Sequence, residues 1–420
     1  MKKLILFSLT ILLLSACGRE GRKPGSRSNA TEYDSLIVVL TVNVYIENSG
    51  SMAGYVKGYS DFKDAVGNFL SDIQISGLSE SLNLFFINKK TEKIGSDVNA
   101  YLDKLTVSCN AATSDIAQIF QTVLTETDDE RISIFVTDGI FSPEKGKNAS
   151  DYLKLQQKNV KEAVAEHLKK YPQTAISVYQ LSSNFDGIYY NRDDTKTKIN
   201  EQRPYYIWVI GNVENIALLK AHIPDNKFKG GGVQHSYTLL PAFDKGLEDY
   251  AILNAPKFGT FERDKKSPKT SIHSIERAKS GEHKGKFMIM VGMNLLPFKV
   301  LLGDKYLMNN NSYARLITKE TTDTIWHGDK SISHNTTPNV KYTHNLQMLF
   351  NPTDKIVTGE LKIVLQNNFP QWIIDANDDE GLSAVADKTF GIKYLVEGVY
   401  EAYNFTGNTI YTTMKFNLKK

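Results

Sequence analysis

Between residues 38 and 224 two kinds of apolar spacing alternate along the chain. Val42, Val44 and Ile46 stand between polar neighbours, the period of two that marks a strand. Phe62, Ala65, Val66, Phe69, Leu70 and Ile73 then recur at helical spacing, with Ser60 or Asp61 placed to cap the first turn. Residues 82–87 read as a second apolar strand, and Ile116, Ile119, Phe120, Val123 and Leu124 as another amphipathic helix. A short buried strand over 132–136 follows, and Leu153, Val160, Val164 and Leu168 stripe a long helix that ends near Pro172. Residues 175–181 and 205–210 predict two more strands, and Ile216, Ala217 and Leu219 a short helix. Strand–helix alternation of this kind implies an α/β unit, a mostly parallel sheet with helices on both faces.

The second half changes character. Residues 287–293 and 313–317 are strand candidates, and Val340, Tyr342, His344, Leu346, Met348 and Phe350 hold one face of a period-2 pattern. Leu361, Ile363 and Leu365 repeat it, as do Ile410, Thr412, Met414, Phe416 and Leu418. The pattern predicts a mainly antiparallel β domain with one solvated face. A single helix, marked by Ile392, Leu395, Val396, Val399 and Tyr403, interrupts it. Between the halves, residues 257–286 carry nine Lys or Arg and four Asp or Glu. A solvated basic loop is the expectation there, and contact with anionic headgroups the alternative.

The N-terminus differs from both halves. Lys2 and Lys3 precede an apolar run over 4–14 broken only by Ser8 and Thr10. As a helix that run reaches roughly 16 Å, about half a hydrocarbon core, so it is too short to span and reads as a signal peptide. Leu14-Ser15-Ala16-Cys17 comes next and resembles the bacterial lipobox. The resemblance implies cleavage before Cys17 and a diacylglyceryl group on its thiol. Gly18 is not the aspartate that resembles an inner-membrane retention signal, so the outer membrane is the expected destination. Residues 18–35, rich in Gly, Arg, Lys, Ser and Asn, read as a tether of roughly 25 Å mean span. The expected organisation is signal peptide 1–16, lipidated tether 17–37, α/β domain 38–230, linker and basic loop 231–286 and β-rich domain 287–420.

Loss of Lys2 and Lys3 takes the formal charge from +3 to +1, which gives no reason to expect nucleic acid. With Cys17 lipidated, Cys109 has no partner for a disulfide and is expected to be a buried small apolar group.

The chemistry gathers at strand ends. The first strand runs into Glu47-Asn48-Ser49-Gly50-Ser51-Met52, the strand at 132–136 into Thr137-Asp138-Gly139, and Thr113-Ser114-Asp115 opens the helix between them. In an open parallel sheet these edges border the crevice where ligands bind. The three segments resemble the von Willebrand factor type A (VWA) domain and its metal-ion-dependent adhesion site. The family's Asp-x-Ser-x-Ser motif is matched by Glu47-x-Ser49-x-Ser51, its threonine by Ser114, with Thr113 as a neighbour that can serve instead, and its Asp-Gly by Asp138-Gly139. The resemblance covers about half the chain and implies a Rossmann-like, doubly wound fold.

It further implies a Mg²⁺ or Mn²⁺ ion bound directly by the hydroxyls of Ser49, Ser51 and Ser114. Glu47 and Asp138 would balance charge through bridging waters, and a protein partner's carboxylate would take the open position. Glu47 is one methylene longer than the family's aspartate, and Ser114 lacks the threonine methyl that fixes a rotamer. Without the resemblance, Ser114 reads as a helix cap and Asp138-Gly139 as turn chemistry.

Other signals are thinner. Asp375, Asn377, Asp378, Asp379 and Glu380 suggest a calcium loop, but the glycine is Gly381 and the twelfth position is Ala386, so a solvated loop is expected. The eight histidines form no His-Glu-x-x-His and no tight pair in sequence, so zinc is not expected. No Gly-x-Ser-x-Gly elbow and no phosphate loop ending in Lys-Ser/Thr occurs. The expected function is partner binding by a membrane-anchored lipoprotein, without enzymatic activity. A metal-free scaffold is the first alternative and a metal-dependent phosphoesterase the second.

Overall fold

The structure, a computed structural model, describes residues 40–419 except 80, 111–114, 145, 242–246, 255–256, 320–321, 327–328, 337–340, 357 and 408. The expected signal peptide, Cys17 and the expected tether lie outside the described residues, as do Thr113 and Ser114. Among the described residues no helix is long and apolar enough to cross a membrane.

Residues from Leu40 to about 240 build a mixed seven-stranded sheet flanked by helices. Its strands are β1 (Thr41–Glu47), β2 (Leu82–Ile87), β3 (Thr91–Gly95), β4 (Arg131–Thr137), β5 (Thr174–Tyr190), β6 (Lys196–Asn212) and β7 (His235–Leu239), in the order β3-β2-β1-β4-β6-β5-β7. The helices are α1 (Asp61–Ile75), α2 (Val98–Ser108), α3 (Ile116–Thr125), α4 (Ala149–Lys170) and α5 (Val213–His222). Ser60 caps α1 by accepting from the Lys63 N–H. The central strands are apolar on both faces because helices cover both. Tyr205, Ile207 and Val209 of β6 join the α1, α2 and α5 side, while Tyr206, Trp208 and Ile210 join the α3 and α4 side.

The expectation of a mostly parallel sheet holds only for β2, β1 and β4, which pair in parallel. The other pairings, β2–β3, β4–β6, β6–β5 and β5–β7, are antiparallel. Connection length explains this. A parallel return needs a crossover of about a dozen residues or more, whereas β5 and β6 are joined by the short turn 191–195. Asn191 organises that turn, its Oδ1 accepting from the N–H groups of Asp193 and Thr195. The resulting hairpin pairs from Thr174 to Asn212 and projects well past the ends of the neighbouring strands.

The remaining strands are β8 (Tyr250–Ile252), β9 (Thr260–Arg263), β10 (Ser271–Glu276), β11 (Phe287–Met293), β12 (Tyr313–Lys319), β13 (Thr322–Trp326), β14 (Lys330–His334), β15 (His344–Phe350), β16 (Gly359–Gln366), β17 (Asn377–Asp378), β18 (Thr389–Phe390) and β19 (Ile410–Leu418). Between them lie α6 (Leu296–Leu302), α7 (Asp304–Leu307), α8 (Gln371–Asp375) and α9 (Ile392–Phe405). Three sheets result: two larger ones, ordered β13-β12-β16-β19-β10-β9 and β14-β15-β11-β8 and almost wholly antiparallel as the alternation predicts, and the short parallel pair β17-β18. Ring contacts of Phe261 with Phe287 and of Tyr250 with Phe416 link the two larger sheets.

The expected boundaries do not divide this fold. Residues 231–286, expected as linker and loop, contribute β7 to the main sheet and β8, β9 and β10 to these two larger ones. Those strands are short, and the two within the basic stretch bury few apolar residues, Phe261 and Ile272 among them, which is too little to register as periodicity. Helix α9 leaves its β-rich surroundings to pack along α4, with Ile392, Leu395, Val396, Val399 and Tyr403 all in the cluster on that face of the main sheet. Residues 38–420 form one compact unit.

Candidate metal centre

The strand order places a switch point at β1. From β1 the chain crosses through α1 to β2 on one side, then returns through α3 to β4 on the other. The carboxyl ends of β1 and β4 therefore border a crevice, the place where open α/β sheets bind ligands. Glu47 ends β1 and Thr137 ends β4, so Asn48 to Ser51 and Asp138-Gly139 follow the strand ends, the Asn48 N–H still bonded to the Ile87 carbonyl of β2. Gly139 turns the chain away at φ +70°, a conformation that disfavours any other residue.

The structure brings four of the five expected ligands together. Ser49 and Ser51 place their hydroxyl oxygens 2.9 Å apart. Adjacent oxygens of an octahedral Mg²⁺ shell, with bonds of about 2.1 Å, stand about 3 Å apart, so the spacing suits two direct ligands. Glu47 and Asp138 are each only 1 % exposed, which makes their charges costly. The Thr137 hydroxyl donates to Glu47 Oε2 at 2.5 Å while its oxygen accepts from the Gly139 N–H at 2.9 Å. Asp138 Oδ1 accepts from the Ile140 N–H at 3.0 Å. Asp138 Oδ2 is sealed from solvent and meets no donor at bonding geometry. Burial raises the Asp138 pKa, an effect partly offset by the nearby Ser51 hydroxyl, the Ile140 N–H and the charge of Arg203.

Cys109 reports the same field. It is buried and unpaired, and burial, then Glu47 and Asp138, push its thiol up to about 12. It is an inert neighbour of the site, in keeping with its expected small apolar role.

Glu47, Ser49 and Ser51 line a cleft of about 840 Å³ with Cys109, Ile140 and Ser142. Sequence patterns gave no sign of its outer wall, which the projecting β5–β6 hairpin supplies through Asp186, Gly187, Tyr190 and Lys196. The loop bearing the serines presses so closely on this wall that a Cβ at Gly187 would lie 2.6 Å from the Gly54 backbone. Lys57 pairs with Asp186 across the rim at 2.5 Å. The chain's last third braces the far side. Arg203 donates to the carbonyls of Val385 and Lys388, and the Phe141 N–H to that of Phe390.

Three other expectations meet the structure here. In the segment 375–380, Asp378 accepts from the N–H groups of Glu380 and Gly381, and Asp379 accepts from Asn377 and Tyr394. The carboxylates of Asp378 and Asp379 thus hold a turn, and the expected loop is more ordered than its composition suggests, since Asp375 ends α8 and Asn377–Asp378 pair with β18. The histidines form no tight pair in sequence, but the fold brings His334 and His344 together with ring centroids 4.9 Å apart. The cap of α3 is Asp115, which accepts from the Gln118 N–H, and not Ser114.

Comparison with protein-family models finds no match for this chain, and comparison with curated protein sequences finds none.

Proposed function

We propose that this chain is a lipid-anchored protein of the cell envelope that grips a protein partner through a divalent cation, in the manner the VWA resemblance implies. The unpartnered Oδ2 of Asp138, buried beside a pair of serine hydroxyls and a second buried carboxylate, is the observation that carries this reading. Two desolvated acids on one strand edge favour a cation between or beside them. Mg²⁺ or Mn²⁺ suits oxygen donors; Ser49 and Ser51 would bind it directly with Ser114, and Glu47 and Asp138 would neutralise it. Few direct anionic ligands leave the ion electrophilic, so an Asp or Glu from the partner completes the shell. Among the described residues that line the cleft none is a histidine that could serve as a general base, which favours binding over hydrolysis. Cys17, by the lipobox resemblance, fixes the chain to the membrane, and the tether lifts the cleft from the headgroups.

One observation favours a second reading, a scaffold that needs no metal: Glu47 is already engaged by the Thr137 hydroxyl. A single experiment separates the two. The full chain, unfolded by heat with Mg²⁺ at ten times its Kd, should gain about 1.4 kcal/mol of stability over the chelated protein. Ser51→Ala should weaken the ion about tenfold or more and remove most of that gain. Retention of a partner from envelope extracts should follow the same pattern. A transition that ignores metal and chelator alike supports the scaffold.

A further inference from the structure

We propose that Asp304, His334 and His344 form a second metal site, built for a nitrogen-preferring divalent cation such as Zn²⁺. Strand register creates it. β14 and β15 pair antiparallel with His334 directly opposite His344, so the backbone, rather than a choice of rotamer, holds the two imidazoles together. Helix α7 begins at Asp304 and brings the third group. Asp304 Oδ2 lies 3.1 Å from His334 Nε2, and Oδ1 lies 3.9 Å from His344 Nε2. One ligand atom from each residue falls within 4.8 Å of the others. Donors on a tetrahedral ion with bonds of about 2.0–2.1 Å stand roughly 3.3–3.5 Å apart, so modest side-chain shifts close the set around a cation.

The two ring nitrogens of His344 face different neighbours. Its Nδ1 lies 2.8 Å from Thr343 Oγ1. That hydroxyl also lies 3.3 Å from the Met293 carbonyl, and its oxygen accepts from the Leu295 N–H at 2.9 Å. The Thr343 hydroxyl thus engages Nδ1, and Nε2 is the nitrogen that faces Asp304. His344 is 1 % exposed, and neither its Nε2 nor Asp304 Oδ1 has a hydrogen-bond partner or contact with water. His344 Nε2 and Asp304 Oδ1 thus face each other, both buried, at 3.9 Å without a hydrogen bond, a gap that a metal ion between them would fill. The competing cation is Lys299, 3.4 Å from Asp304 Oδ1 on a half-exposed side chain that can swing away.

The donor set selects the ion. Two imidazoles and one carboxylate suit Zn²⁺ and its transition-metal neighbours, whereas Mg²⁺ and Ca²⁺ prefer all-oxygen shells. Thr343 is the outer partner that orients one imidazole, as metal-bound histidines commonly require. No fourth His, Cys, Asp or Glu joins the cluster among the described residues, which leaves a position for water or a partner's ligand.

The test is Zn²⁺ titration of the full chain after chelator treatment, repeated with Co²⁺ to read coordination from its visible absorption. One equivalent should bind, with the intense bands of a four-coordinate Co²⁺ centre. His334→Ala and Asp304→Asn should each weaken binding at least tenfold. Both residues are partly exposed, so the variants should keep the native circular dichroism. Ser51→Ala, at the other proposed centre, should bind Zn²⁺ as wild type does. Absence of stoichiometric Zn²⁺ binding, or binding by folded His334→Ala and Asp304→Asn that equals wild type, overturns the proposal.

Discussion

A chain ended at residue 366 should lose the cooperative unfolding of the main α/β sheet, although every strand of that sheet lies before residue 240. The reason is α9. Ile392, Leu395, Val396, Val399 and Tyr403 are each 0 % exposed, against α4 and the sheet face beneath it. Truncating one buried side chain of this size costs about 2–5 kcal/mol, and a whole domain is stable by only about 5–15 kcal/mol. Removal of five at once exceeds what the sheet can bear. A point change tests the same contact: a Cβ at Gly398 would lie 2.7 Å from the Gln157 carbonyl, so Gly398→Leu should cost about 1–3 kcal/mol or more. Urea unfolding followed by near-UV circular dichroism, with limited trypsin digestion of the shortened chain, checks both. A fragment that keeps a sharp transition and resists trypsin would show that the first half is an independent domain.

Asp138→Asn should raise the melting temperature of the metal-free protein while abolishing its response to Mg²⁺. Burial raises the Asp138 pKa above the unfolded value, so the folded state holds this proton more tightly. The group's contribution to stability is then fully present below the unfolded pKa and is lost as pH rises through the raised folded value. At neutral pH the bare carboxylate opposes folding, and asparagine removes the charge while keeping the acceptor for the Ile140 N–H. Relief of about 1 kcal/mol shifts the transition by about 2 °C or more in a protein of this size. The corresponding loss of stability between acid and neutral pH should shrink in the variant. Thermal unfolding in chelator at pH 5 and pH 8 reads both effects. A variant several degrees less stable, with its pH dependence unchanged, would make Asp138 a structural acceptor and not a charge held for a cation.

Much of the fold is legible as periodicity, because periodicity reports which face of an element is buried. It gives β1, α1, β2, α3, β4, α4 and α9 close to their observed limits. Periodicity does not say which surface an element packs against, and so α9 is visible as a helix but its partner α4 is not. The β5–β6 hairpin is hidden because residues 182–204 are mostly polar, and their pairing is set by the Asn191 turn rather than by burial. Helix α2 did leave a signal, Asp97 as cap and Val98, Tyr101, Leu102 and Leu105 on one face. Its polar flanks dilute that stripe.

The candidate sites divide in the same way. Glu47, Ser49, Ser51 and Asp138 are readable because strand ends in a parallel core predict a shared edge. Thr137, which holds the Glu47 carboxylate, looks in sequence like one more β-branched strand residue. His334 and His344 carry no local signal, since only the register of β14 on β15 brings them together.

Calorimetric titration of Mg²⁺ into the full chain tests the proposed centre most directly, because the oxygen-poor histidine cluster offers that ion little. Wild type should take up one equivalent, and Ser51→Ala should bind about tenfold or more weakly. Glu47→Asp should bind more tightly, since the shorter side chain leaves Thr137 and gains room for a bridging water. No heat of binding from wild type or Glu47→Asp at millimolar Mg²⁺ would contradict the metal-dependent account and leave the cleft as part of a metal-free scaffold.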